Sequence, residues 1–187
     1  MKNLVLFASG GGSNAENLIV HFSKSELGRV KAVFVNRAGA GVIGRCERLG
    51  IPYVLFTKSE LSDGTVLRKL ESFEPDLIVL AGFLLKVPDE IIEQYPNRIV
   101  NIHPALLPKY GGKGMYGNFV HESVFANKEL TSGISIHYVN GVYDAGDIIF
   151  QADVNVSDCV TPSEVAARVL KLEHEHFPRV VENLLRE

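Results

Sequence analysis

The stretch LVLFASGGGSNAENLIVHFSK, residues 4–24, decides the fold. Leu4 to Ala8 is a short unbroken apolar run, the pattern of a strand buried on both faces. SGGGSN, residues 9–14, is a turn, and AENLIVHFSK carries apolar residues at helical spacing. Strand, glycine turn and helix in direct succession open a parallel sheet covered by helices. The alternation continues outward. Val30 to Val35 is a second strand, and GVIGRCERLG is a helix closing on Gly50, a residue type common just past helix ends. IPYVLF is a third strand, followed by a helix through TVLRKLESF that ends before Pro75. DLIVLAGF is a fourth strand. A short helix covers PDEIIEQYP, opened by Pro88 and stopped before Pro96, and Ile99 to Ile102 is a fifth strand. This order predicts one doubly wound, mostly parallel α/β sheet, with each crossover right-handed.

The texture changes after Pro104. ALLPKYGGKGMYG reads as a long loop, HESVFANKE as a helix, and GISIHYV with IIFQADVNV as an antiparallel strand pair separated by NGVYDAGD. Thr161-Pro162-Ser163-Glu164 has capping-box spacing and opens the last helix, with Thr161 as cap and Pro162 at the first helical position. That helix either runs to Leu185 or breaks near Pro178. No repeat, low-complexity tail or linker interrupts the chain, which predicts a single domain over 1–187.

Composition narrows the function. With 46% hydrophobic and 22% charged residues the chain is an ordinary globular one. A net charge of −3 gives no electrostatic reason to expect nucleic acid or a membrane as partner, so an anionic substrate must be held by local groups. The apolar run Leu4 to Ala8 is too short for a signal core, and no stretch approaches the roughly 18 apolar residues of a membrane helix. Cys46 and Cys159 lie in unlike contexts with no CxxC pair, which predicts reduced thiols and no structural zinc. The expectation is a cytoplasmic protein, monomer or homodimer, acting on small molecules.

Gly10-Gly11-Gly12-Ser13-Asn14 stands at a helix start, where free N–H groups and the dipole favour an anion. Glycines let a phosphate approach, and Ser13 and Asn14 add donors. The same residues match the dinucleotide pattern G-x-G-x-x-A through Gly10, Gly12 and Ala15, but that pattern needs an acidic residue about 20 positions on. The second strand ends instead in Val35-Asn36-Arg37, which disfavours NAD and leaves Arg37 for an NADP phosphate. A mononucleotide phosphate is the preferred ligand, and a bare turn is the plain alternative.

IVNIHPALLPKYGGKG begins at the end of the fifth strand, where ligands of open α/β sheets bind. Asn101 and His103 are two apart on extended chain and share a face. An amide donor beside an imidazole suits a tetrahedral oxyanion and its proton transfer. Asp144, in VYDAGD, is placed to reach that histidine, and a carboxylate beside His103 is expected to raise its pKa. The alternative is a turn aspartate capping its own backbone, a role Asp147 fits as well. His137, in GISIHYV, is expected to pack under the site. No Ser or Cys nucleophile is evident, and His121, His174 and His176 make no recognisable metal set.

SGGGSN, LAGF, NIHPALLPKY, GISIHYV and YDAGDIIFQA, in this order over nearly the whole chain, resemble the folate-dependent phosphoribosylglycinamide formyltransferase family. The resemblance implies a Rossmann-like formyltransferase fold and transfer of the formyl group of 10-formyltetrahydrofolate to the amine of glycinamide ribonucleotide. It implies that Gly12, Ser13 and Asn14 hold the ribonucleotide phosphate. It makes Asn101, His103 and Asp144 the catalytic trio, with His103 the proton donor. Leu84, Leu85, Lys86 and Val87 would meet the pterin, together with Asn101, and Glu173 would bind substrate. The chain departs from the family twice. TKSELSDGTV lacks a folate-binding arginine, leaving Lys58 as the nearest cation. GGKGMYG replaces a histidine-bearing loop, leaving Lys113 and Tyr116 for its contacts. Formyltransferases of amino sugar nucleotides share NIHP and D-x-G, and an NADP-dependent oxidoreductase is the competitor from another class.

Overall fold

The computed structural model describes residues 1–186. Seven strands form one sheet in the order β3-β2-β1-β4-β5-β6-β7. β1 (Lys2–Ala8), β2 (Gly28–Val35), β3 (Tyr53–Leu55), β4 (Leu77–Leu80) and β5 (Ile99–His103) run parallel. β6 (Thr131–Tyr138) and β7 (Ile148–Asn155) add as the antiparallel pair. The predicted sheet class and its C-terminal pair are therefore both present.

Alternation along the central strands explains their unbroken apolar runs. Leu4, Leu6 and Ala8 of β1 enter one core with α1 (Ser13–Phe22), α2 (Val42–Leu49), α6 (Asn118–Ala126) and α7 (Pro162–Leu184). Val5 and Phe7 enter the other, under α3 (Lys58–Ser62), α4 (Thr65–Glu71) and α5 (Asp89–Gln94). Phe7 stacks on Phe34 of β2 at 5.0 Å and meets Phe83 edge-on at 5.2 Å. A side chain buried this way contributes about 1.5–3 kcal/mol.

Several boundaries differ from expectation. The third and fourth strands are shorter than IPYVLF and DLIVLAGF, and α6 starts three residues before His121. α3 lies where no helix is expected from periodicity, and is closed by a reciprocal capping box between Thr57 and Glu60. At α7 only half of such a box forms. Thr161 accepts from the Glu164 N–H, while the Glu164 carboxylate accepts from Val160.

α7 passes through Pro178 without a break. A proline has no N–H to give the carbonyl four residues earlier, that of His174. The Asn17 side-chain amide on α1 donates to that carbonyl at 2.8 Å. This bond satisfies the orphaned acceptor and ties α7 to α1.

The chain leaves β1 for β2 on one side and later returns to β4 on the other. The carboxyl ends of β1 and β4 thus flank the point where strand order reverses, the place where open α/β sheets bind ligands. β5, β6 and the 104–110 loop build the adjoining wall. The loop is pinned by Ser135, which donates to the Ala105 carbonyl at 2.7 Å and accepts from the Leu107 N–H at 2.9 Å. Gly133 allows it to lie close, because a Cβ there would collide with the Ala152 carbonyl and with Leu106. Gly133→Ala is expected to cost about 1–3 kcal/mol, read as a lower urea midpoint; an unchanged midpoint would mean the wall has room that the packing denies.

Candidate active site

A cavity of about 700 Å³ opens at the strand ends. Its first wall is the glycine loop. Gly12 sits before α1 with φ 75°, and a Cβ there would also strike Val42. The loop is fixed from behind, since Val42 N–H donates to the Gly10 carbonyl at 3.1 Å and Arg45 Nε to the Gly11 carbonyl at 2.7 Å. Gly12, Ser13 and Asn14 all line the cavity. Asn14 Nδ2 donates to Glu173 Oε2 of α7 at 2.7 Å. Burial pushes the Glu173 carboxyl above its ordinary value, and the Asn14 bond opposes that only in part.

The second wall is the segment after β4, with Leu84, Leu85, Lys86 and Val87 facing the cavity. The floor is polar. Asn101 of β5 is paired across the strands with His137 of β6, and their side chains lie 3.1 Å apart, Nδ2 to Nε2. His137 Nδ1 is 2.8 Å from the Tyr138 carbonyl. A carbonyl can only accept, so Nδ1 carries the hydrogen, and when Nε2 is bare it accepts from Asn101. That assignment leaves the second N–H of the Asn101 amide free for a ligand.

His103 is 3% exposed, and its Nε2 is 2.7 Å from the Tyr110 carbonyl. By the same rule Nε2 carries the hydrogen, and Nδ1 faces Asp144 Oδ1 at 3.6 Å. Asp144 Oδ1 also lies 3.6 Å from His137 Nε2, and its Oδ2 accepts from the Gly112 N–H at 2.8 Å. Burial alone would push the Asp144 carboxyl up, but the imidazoles of His137 and His103 and the Gly112 N–H together hold it below its ordinary value. The expected rise at His103 is not what results. Burial, which disfavours imidazolium, outweighs the Asp144 charge and the Tyr110 bond, so the His103 pKa is lowered. The resting state is a neutral imidazole beside a carboxylate.

Asn101, His103, Asp144, His137 and Glu173 thus meet in one cavity with the glycine loop, and Lys113 and Tyr116 line its rim. Lys58 does not join them; it is exposed at the start of α3 and outside the lining. Arg37 and Asp147 are likewise exposed and outside it. The structure adds His121, which is 8% exposed, lines the cavity and is held below its ordinary pKa by burial and by His103. It was visible in the sequence but tested only as a metal ligand. Tyr143 and Met115 also line the cavity, and only the Tyr143 position beside Asp144 hinted at this. Among the described residues no cluster of three His, Cys, Asp or Glu side chains is placed to hold a metal ion. No described helix is long and apolar enough to cross a membrane. Cys46 is fully buried, and burial pushes its thiol pKa up, which does not suit a nucleophile.

A cavity at a strand-order reversal has a glycine loop and a helix start on one side, which suit an anion, and an amide, imidazole and carboxylate on its floor, groups able to stabilise charge and exchange protons. Residues 2–181 match the family model described as formyl transferase, and the chain belongs to that family. It is 41% identical to phosphoribosylglycinamide formyltransferase, chloroplastic, of Vigna unguiculata, over 100% of this chain and 62% of that protein. It is 34% identical to phosphoribosylglycinamide formyltransferase of Escherichia coli strain K12, over 96% of this chain and 85% of that one. The crystal structure of phosphoribosylglycinamide formyltransferase from Anaplasma phagocytophilum superposes with a TM-score of 0.90 at 31% identity, covering 99% of this chain and 87% of the other. The chain spans 62% and 64% of the length of the two plant relatives, from Vigna unguiculata and Arabidopsis thaliana.

The two depressed imidazoles of the cavity, His103 and His121, make stability depend on pH. The unfolded chain binds protons at His103 and His121 more readily than the folded one. Their contribution is therefore full above an imidazole value of about 6.5 and is lost as pH falls through the lower folded values. Between about pH 7.5 and 5.5 the wild type is expected to lose more unfolding free energy than His103→Gln, measured by urea titration. Equal losses would mean that His103 titrates alike in both states.

Proposed function

We propose that the chain transfers the formyl group of 10-formyltetrahydrofolate to the amine of glycinamide ribonucleotide, working in the cytoplasm as a monomer or homodimer. The observation that carries this is the convergence of Asn101, His103 and Asp144 on a cavity floor with the glycine loop at its side. In this reading Gly12, Ser13 and Asn14 hold the ribonucleotide phosphate at the start of α1, and Glu173 binds the same substrate. The 84–87 segment receives the pterin of the donor.

The amine attacks the formyl carbon, a C–N bond forms, and the carbonyl electron pair moves to oxygen. Asn101 offers its free N–H to that oxyanion, a contribution of about 3 kcal/mol for one such donor. The neutral His103 takes the proton shed by the attacking nitrogen, directly or through a water near Asp144. The imidazolium is then stabilised by the Asp144 carboxylate and returns the proton to the folate nitrogen as the C–N bond to folate breaks and the carbonyl reforms. A lowered pKa at rest suits this order, because His103 must first be free to accept.

The assay mixes the protein with 10-formyl-folate and glycinamide ribonucleotide and follows absorbance; activity with NADPH instead would overturn the proposal. His103→Ala is expected to lose at least about 10²-fold in turnover, and a near-normal rate in the folded variant would count against it. Ser13→Ala is expected to raise KM for the ribonucleotide. An effect confined to the folate would contradict the placement of the phosphate.

A further inference from the structure

One buried hydroxyl stands at the point where the two proposed subsites meet. Ser9 follows directly on β1 and precedes the glycine loop; it is 1% exposed. Its N–H donates to the Gly82 carbonyl at 3.0 Å. Its Oγ accepts from the Leu84 N–H at 3.0 Å. Both partners belong to the segment after β4 that lines the second wall. Ser9 itself does not line the cavity.

The 82–87 segment is otherwise held by apolar contacts, with Phe83 and Val87 buried and Leu85 packed against the same core, and these do not set the direction of its peptide groups. It is irregular chain between β4 and α5, and Gly82 has φ 76°. Phe83 anchors it in the aromatic cluster through Phe7, which is apolar and tolerates rotation of the adjoining peptide planes. The Leu84 N–H bond to Ser9 fixes the plane of the peptide joining Phe83 to Leu84, and hence the direction of the Phe83 carbonyl, which is opposite to that N–H in a trans peptide. A segment meant to recognise a flat heterocycle through its backbone needs that direction fixed in advance.

We infer that Ser9 is a positioning residue: its hydroxyl sets the backbone of the 82–87 segment for the formyl donor and couples that segment to the anion loop that begins at Gly10. This rests on the function proposed above. A phosphate on the loop adds bonds to the chain on one side of Ser9, and the Oγ bond ties that chain to the segment on the other side. By linkage the donor must then favour ribonucleotide binding by the same factor.

Calorimetric titration tests it, using tetrahydrofolate alone and tetrahydrofolate with saturating glycinamide ribonucleotide. Ser9→Ala is expected to weaken tetrahydrofolate about three- to tenfold, the span of one hydrogen bond, and to give the same affinity with and without the ribonucleotide. Ser9→Thr keeps the acceptor oxygen and restores most of the affinity and the coupling. If Ser9→Ala does not fold, Ser9→Cys, close in size and a poor acceptor, carries the same measurement. Wild-type affinities in the variant, or a lower melting temperature with unchanged affinities, would overturn the inference. The Leu84 amide supplies a readout independent of ligand. Its hydrogen exchange is expected to speed up about tenfold or more in Ser9→Ala, and unchanged exchange would remove the link. Wild-type protein that binds neither ligand while its Leu84 amide is protected through Ser9 would sink the proposed function and leave the link standing.

Discussion

β1 has no face left for solvent. Its side chains alternate between two cores, so both sides of the sheet must be covered before the strand is stable. This obliges the chain to supply helices above and below, and it puts β1 inside the sheet between β2 and β4, which both follow it in sequence but lie on opposite sides of it. The crevice at the strand ends is a by-product of that arrangement. The glycine loop, the 82–87 segment and the end of β5 open there because their strands end there. The chemistry is placed by the packing of a strand that contributes no side chain to the cavity.

Burying polar groups at that crevice is costly unless each finds a partner. The floor meets this requirement at three ring nitrogens, since His103 Nε2 and His137 Nδ1 donate to carbonyls and His137 Nε2 meets the Asn101 amide, while His103 Nδ1 stands 3.6 Å from Asp144 and is joined to it only when a proton arrives. The backbone carbonyls of Tyr110 and Tyr138 do more than satisfy hydrogens. They choose the tautomers, and the tautomers decide which nitrogen faces Asp144 and which way the Asn101 amide turns. The same desolvation that lowers the His103 pKa also strengthens the attraction between its charged form and Asp144 once a proton arrives. The neutral imidazole and its protonated form are thus two states of one buried pair.

Much of this was legible in the sequence, for identifiable reasons. Unbroken apolar runs mark strands buried on both faces, and glycine, proline and Thr-Pro-Ser-Glu mark the turns and caps, so the sheet and most helices were readable. Asn101 and His103 were readable because a period of two puts them on one face. Asp144 was readable from its place in the turn between the antiparallel strands, with a capping aspartate as the alternative, whereas the convergence of Glu173 on them was legible only through resemblance, since a separation of tens of residues leaves no local trace. α3 escaped because five residues carry too little periodicity, although Thr57 and Glu60 spelled its capping box. The direction of the His103 shift escaped for a different reason. Sequence shows which charges are near, but the depth of burial that outweighs them exists only in three dimensions. Lys58 was proposed from proximity in the chain, and the short β3 carries it away from the cavity.

The latch between α1 and α7 has a temporal meaning. Asn14 and Asn17, three residues apart on the first helix, grip Glu173 and His174, adjacent residues of the last one. The chain between them, 159 residues from Asn14 to Glu173, must be made before these partners coexist. While the chain is still emerging from a ribosome, the glycine loop and its helix can form, but Glu173, which completes the cavity wall, has not yet been translated. Closure of such distant contacts carries a loop-entropy penalty that local helices do not. A nascent chain therefore holds a half-built pocket until α7 docks.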